Sequence, residues 1–172
     1  DESREFLALN IAVLTVSDSR TESTDGSGKL LIERAESSGH KIAHYAIVAD
    51  ERHSIEEALR TCIADPTIDV VLATGGTGVT GRDVTPEAFQ SVYEKEIPGF
   101  GELFRWISFE KIRTSTIQSR ATAGVANGTY LFSLPGSTGA CKDAWDEILH
   151  YQLDIRNRPC NFAELIPRLR EH

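Results

Sequence analysis

The sequence predicts an α/β fold, a three-layer α/β/α sandwich with a mostly parallel central sheet. Three observations predict it. Short β-branched apolar runs alternate with amphipathic helical stretches, the connections between them are short, and two of the runs end directly in Gly-rich turns. A strand, a helix and a further strand in succession require crossover helices that cover a parallel sheet. At 172 residues and 40 % apolar composition the chain is sized for one domain over residues 1–172.

Asn10 to Val16 ("NIAVLTV") is a continuous apolar run, the pattern of a strand buried on both faces. The polar stretch Ser17–Gly28 leads into a helix in which Leu30, Leu31, Ile32 and Ala35 recur at helical spacing and Gly39 marks the stop. A second strand is expected at about Lys41 to Val48. Ser54 and Glu57 have capping-box spacing ahead of a helix carrying Ile55, Ala58, Leu59 and Ile63, which Pro66 closes. "DVVLAT" from Asp69 is a third strand, and it runs straight into a loop with four glycines, Gly75, Gly76, Gly78 and Gly81. Thr85 reads as the cap of the next helix, with Pro86 in its first position and Glu87 in its first turn.

"GFGELFRWISFEKI" from Gly99 reads as a helix with Phe100, Leu103, Phe104 and Ile107 on one face; Trp106 and Trp145, inside helical patterns, are expected in the core. "TSTIQSRATAG" from Thr114 is rich in hydroxyls around Arg120, a composition that suits either anion contact or the start of a helix. "TYLFSL" from Thr129 is a further strand, and the turn "PGSTGA" from Pro135 opens a helix through Trp145 and Ile148.

Composition narrows the function. A net charge of -8 with 18 scattered Lys and Arg argues against a nucleic-acid or anionic-membrane surface, so an anionic ligand has to be held locally. Cys62, Cys141 and Cys160 form no C-x-x-C pair, which disfavours a disulfide framework or zinc site and suits a reducing cytoplasm. The five histidines share no spacing, and no apolar run is long enough to span a membrane. The chain opens on Asp1 and holds no methionine, so residues ahead of Asp1 are expected in the full-length protein.

Ligands of such sheets bind beyond the carboxyl ends of the strands. The loops Ser17–Gly28, Ala49–His53, Gly75–Asp83 and Pro135–Gly139 are therefore the candidate site, converging if their strands are neighbours. Gly76, Gly78 and Gly81 satisfy G-x-G-x-x-G, yet the helix signals fall four to five residues later than a dinucleotide fingerprint requires, and "GSGK" at Gly26 lacks the rest of a P-loop. What survives is an anion-binding loop of another design, or an unusual turn. Asp50 and Asp83 are either caps or solvated charges, or carboxylates that hold a divalent cation against a bound phosphate, as magnesium sites do. Ser17 and Asp18 either cap a turn or touch the ligand.

With these residues in place, "TGGTGVTGRDVTPEAF" from Thr74 and "SLPGSTGACKDAWDEIL" from Ser133 resemble the two signatures of the MoaB/MogA/gephyrin G-domain family of molybdenum cofactor biosynthesis. The resemblance covers nearly the whole chain, and "FGELFRWISFEKIRTSTIQSRATAGVAN" with "RNRPCNF" is closer to the MoaB branch. It implies a trimer, in that branch sometimes a hexamer, and Mg²⁺-dependent transfer of adenylyl from ATP to molybdopterin with release of pyrophosphate. It also implies that Asp83 and Asp50 are the two required acids, both on the metal. Ser17, Gly75, Gly76, Thr77, Gly78, Ser119, Pro135, Gly136 and Ser137 become the ligand contacts. The second motif reads Pro-Gly-Ser-Thr-Gly where the MogA type carries a further proline, so a non-catalytic molybdopterin-binding or scaffold protein is the alternative.

Overall fold

A computed structural model of the chain describes residues 1–172. Six strands, β1 (Asn10–Val16), β2 (Lys41–Val48), β3 (Val70–Thr74), β4 (Lys95–Glu96), β5 (Thr122–Ala126) and β6 (Thr129–Leu134), form one sheet in the order β2-β1-β3-β6-β5-β4. Pairing is parallel from β2 through β1 and β3 to β6, and antiparallel from β6 through β5 to β4. The mostly parallel sheet expected from the sequence is the one found.

The central strands are apolar on both faces because both faces are covered. Ile11, Val13, Val70 and Leu72 pack with α1 (Gly26–Ser37), α4 (Pro98–Ile112) and α5 (Thr138–Ala144). Their alternates Ala12, Leu14, Val71 and Ala73 pack with α2 (Arg52–Ala64) and α3 (Thr85–Val92). This alternation makes three layers. α5 runs on through a π-helical turn, Trp145–Leu149, which seats Trp145 in the first of these cores at 1 % exposure. No helix is long and apolar enough to cross a membrane.

Several local expectations are corrected. Helix α1 starts at Gly26, inside the stretch Ser17–Gly28 read as polar loop, and Asp25 caps it, its side chain accepting from the Gly28 N–H. Helix α2 starts at Arg52, and Ser54 donates to Glu51 Oε2 at 2.6 Å, so no capping box forms with Glu57. Thr85 is the first residue of α3 and caps nothing. Trp106 is 71 % exposed, outside the core, and Leu103 is exposed as well. The stretch from Thr114 is split: residues 114–118 lie in the 3₁₀ helix Arg113–Gln118 that follows α4, and after Arg120 the chain becomes β5, turned back onto β6 by Asn127 and Gly128 at φ 46° and 80°.

Candidate functional site

The parallel order β2-β1-β3-β6 carries the ends of four neighbouring strands to one edge of the sheet, and their loops meet there. They enclose an open cleft of about 680 Å³. Of the residues expected at the site, Ser17, Asp50, Gly75, Gly76, Gly136 and Ser137 line it; Thr77, Gly78, Asp83, Ser119 and Pro135 do not.

Gly75 opens the glycine loop at φ 113°, and a Cβ there would lie 2.4 Å from the Val16 carbonyl oxygen. No other residue allows the end of β3 to pass so close to the end of β1. The loop is then tied down at both ends. Thr74 Oγ1 donates to Pro135 O at 2.8 Å, Gly75 N–H to Leu134 O at 3.0 Å, and Thr85 N–H to Gly76 O at 3.1 Å. Ser137 caps α5, its side chain accepting from the Ala140 N–H at 3.1 Å, so the second Gly/Ser turn also presents a helix N-terminus.

The acids divide by position. Asp50 lines the cleft, with its backbone N–H held by Asp18 Oδ1 at 2.9 Å and its own Oδ1 buried without a partner. Burial and then the neighbouring charge of Asp18 raise the Asp50 carboxyl above its usual range; Arg82 opposes them and Asp83 adds to them. Asp83 instead folds back on its own loop, Oδ2 accepting from Thr80 N–H at 3.0 Å and Thr80 Oγ1 at 2.8 Å. Ser17 Oγ accepts from the N–H groups of Ser19 and Arg20, shaping its own turn. Ser119 lies in the turn before β5, accepting from Arg105 through its carbonyl oxygen.

Two cations that sequence reasoning passed over stand in the cleft. Arg82 bonds Asp18 Oδ2 at 2.5 Å, and Arg20 reaches Ser27 Oγ at 3.1 Å and Gly136 O at 3.3 Å. Beneath Arg20 lies Asp25, fully buried. It accepts from Thr15 Oγ1 at 2.6 Å, Tyr45 OH at 2.5 Å and Gly28 N–H at 3.0 Å. An adjacent Arg82-Asp83 pair was the one sequence signal for the first cation; nothing local marks the second.

The cleft therefore has a cationic side toward Arg20 and α5 and an acidic side at Asp18 and Asp50, where Arg82 pairs with Asp18 and leaves Asp50 without a cation of its own. No three His, Cys, Asp or Glu side chains gather as a ready-made metal centre. The Asp50 carboxylate, with one oxygen buried and unpartnered, stands in the lining of a cleft with phosphate-friendly walls and nevertheless fits a magnesium ion that takes one or two protein carboxylates and completes its shell from substrate and water.

Residues 12–155 match the family model described as "Probable molybdopterin binding domain". The chain belongs to this family. Over 160 residues it is 51 % identical to molybdenum cofactor biosynthesis protein B of Escherichia coli K12, covering 93 % of this chain and 94 % of that one. Over 138 residues it is 49 % identical to the protein of the same name from Bacillus subtilis 168, covering 80 % and 81 %. A crystal structure of a molybdenum cofactor biosynthesis protein B superposes with a TM-score of 0.88 at 39 % identity, covering 98 % of this chain and all of the other. The resemblance read in the two Gly-rich signatures, and its lean toward the MoaB branch, is the family that these comparisons return.

Proposed function

We propose that residues 1–172 act as one cytoplasmic molybdopterin-binding domain that transfers the adenylyl group of ATP to molybdopterin. The observation that carries this reading is the two-sided cleft, with the Asp50 carboxylate, which no other side chain engages, at its acidic side and Arg20 with the α5 N-terminus at the other. A phosphate oxygen of molybdopterin would attack the α-phosphorus of ATP; the new P–O bond forms as the bond to pyrophosphate breaks, and pyrophosphate leaves. The protein's contribution is positioning and charge neutralisation. Arg20, Ser137 and the loop amides would hold the anionic groups, while Asp50, joined by Asp83 once its carboxylate leaves Thr80, would hold Mg²⁺. The ion would supply neutralisation of the charge shared by attacking and leaving oxygens. Neither aspartate is needed as a base, since a phosphate nucleophile is already ionised.

A second reading has its own observation. The Asp83 carboxylate is engaged by Thr80 and does not line the cleft, which suits a molybdopterin-binding protein that does not catalyse. Pyrophosphate release from ATP and Mg²⁺, with and without molybdopterin, separates the two. Expected is pterin-dependent release that falls by about 10²–10³-fold in Asp50→Asn and in Asp83→Asn with unfolding unchanged. A wild type that releases none, while still retaining molybdopterin in equilibrium binding, selects the non-catalytic protein.

A further inference from the structure

Thr85 is a buried threonine, at 0 % exposure, whose hydroxyl has no hydrogen-bond partner. It is not a helix cap, because α3 takes no side-chain cap at all. The other orphan at this edge of the sheet is Asp50 Oδ1, and both atoms border the same point. A Cβ built on Gly76 would lie 2.3 Å from Thr85 Oγ1 and 3.4 Å from Asp50 Oδ1. Gly76 sits at φ 70° and leaves that space free of any side chain. The Thr85 N–H donates to Gly76 O at 3.1 Å, which holds the Thr85 backbone beside this gap. The Asp50 backbone is anchored by Asp18, whereas its side chain has no anchor.

We infer that Thr85 is a positioning residue for Asp50: the two groups make no hydrogen bond as they stand, and rotation of the unanchored Asp50 side chain across the side-chain-free gap at Gly76 lets the Thr85 hydroxyl donate to the inner carboxylate oxygen, leaving the outer oxygen to face a divalent cation in the cleft. The inference rests on the reading of Asp50 as a metal carboxylate. A buried hydroxyl is expensive to leave unpaired, and a donor to a metal-binding carboxylate sets the orientation and basicity of that ligand. Gly76 is glycine for a second reason beyond its φ: any side chain would come between donor and acceptor.

Mn²⁺ binding to the full chain, read by calorimetry with and without ATP, tests this for the wild type, Asp50→Asn, Thr85→Val and Thr85→Ser. Thr85→Val keeps the shape and discards an unpartnered hydroxyl, so it is expected to fold at least as stably as the wild type while binding Mn²⁺ about tenfold more weakly. Thr85→Ser keeps the hydroxyl and is expected to bind close to wild type. Wild-type affinity in Thr85→Val, with affinity lost in Asp50→Asn, would overturn the role of Thr85 and leave the metal reading standing. Undiminished affinity in Asp50→Asn would overturn both. A Thr85→Val chain that unfolds while Thr85→Ser does not would make the hydroxyl structural, and the inference would fail.

Discussion

Arg120 and Glu87 form a two-point ion pair, Nη1 to Oε2 at 2.6 Å and Nη2 to Oε1 at 3.1 Å. The same guanidinium donates to the Gly78 carbonyl at 2.7 Å and to the Asp83 carbonyl at 2.8 Å, and the Arg120 backbone N–H donates to Thr77 O at 2.9 Å. One residue thus clamps the glycine loop to the first turn of α3. It is therefore spent on the loop, not on an anion. With side chains 36 % and 34 % exposed, the ion pair contributes little by itself; the bonds to loop carbonyls matter more. Lysine has no fork with which to make them. Arg120→Lys should lower the unfolding free energy by about 1–2 kcal/mol and speed amide exchange across the glycine loop. Urea unfolding and exchange mass spectrometry would show it, and exchange as slow as in the wild type would mean that the loop keeps its shape unaided.

His40 makes stability depend on acid. It is 5 % exposed, lies edge-on to Trp145 and beside Phe6, and its Nδ1 accepts from Leu9 N–H at 3.0 Å. Protonating Nδ1 would destroy that bond. Burial pushes its pKa down to about 4, with Asp154 opposing and His150 adding. The folded pKa lies below the unfolded value near 6.5, so the unfolded chain takes up the proton first. The contribution of His40 is complete above about pH 6.5 and is lost as pH falls toward about 4, by up to about 3 kcal/mol. His40→Gln, which can still accept from Leu9, should flatten the fall in urea midpoint between about pH 7 and pH 4. An equal slope in wild type and variant would assign the acid sensitivity elsewhere.

The sheet is legible in the sequence wherever a strand is buried on both faces, as in β1, β3 and β6, because a short continuous apolar run between turn signals fits a doubly covered strand and little else. β5 is not, since Thr122–Ala126 is small and weakly apolar, although Asn127-Gly128 offers the hairpin signal. Periodicity in α4 shows which residues share a face but not which face is covered, so it wrongly puts Trp106 inside. The cleft glycines and Asp50 are legible because each follows a strand end. Arg20, Asp25 and Arg82 are not, because their roles come from contacts across the chain: Arg82 meets Asp18 from 64 residues away.

The uncovered face of α4 predicts self-association. Leu103, Trp106, Phe109 and Ile112 follow one another at three-residue steps, Ile117 continues beyond the helix, and Trp106 and Ile117 are 71 % and 78 % exposed. A patch of this kind on a chain otherwise rich in charge marks a protein interface. Wild-type chain is expected to sediment as a homo-oligomer, a trimer or hexamer, and Trp106→Glu as a smaller species. Trp145, 1 % exposed, emits from the same buried setting in both proteins, so the emission lost in the variant reports Trp106 alone, and a blue-shifted lost component would place Trp106 inside the interface. A monomeric wild type would remove the prediction.

Asp25 predicts how far the cleft depends on what lies beneath it. Its single carboxylate, at 0 % exposure, accepts from Thr15 on β1, Tyr45 on β2 and Gly28 in α1, and stands 3.7 Å from Arg20 Nη1. Burial, and then the bond to Asp25, hold the Tyr45 phenol protonated well above its usual range, so it remains a donor. Asp25→Ala would strand three donors at once and remove the charge that faces Arg20, at an expected cost of about 3–5 kcal/mol. Tyr45→Phe removes one donor, leaves the carboxylate satisfied by the others, and should cost only about 1 kcal/mol. Because both act through one carboxylate, their effects should not add: combining Tyr45→Phe with Asp25→Ala should cost little more than Asp25→Ala alone. Additive losses in urea unfolding would mean that Tyr45 and Asp25 stabilise the strands independently.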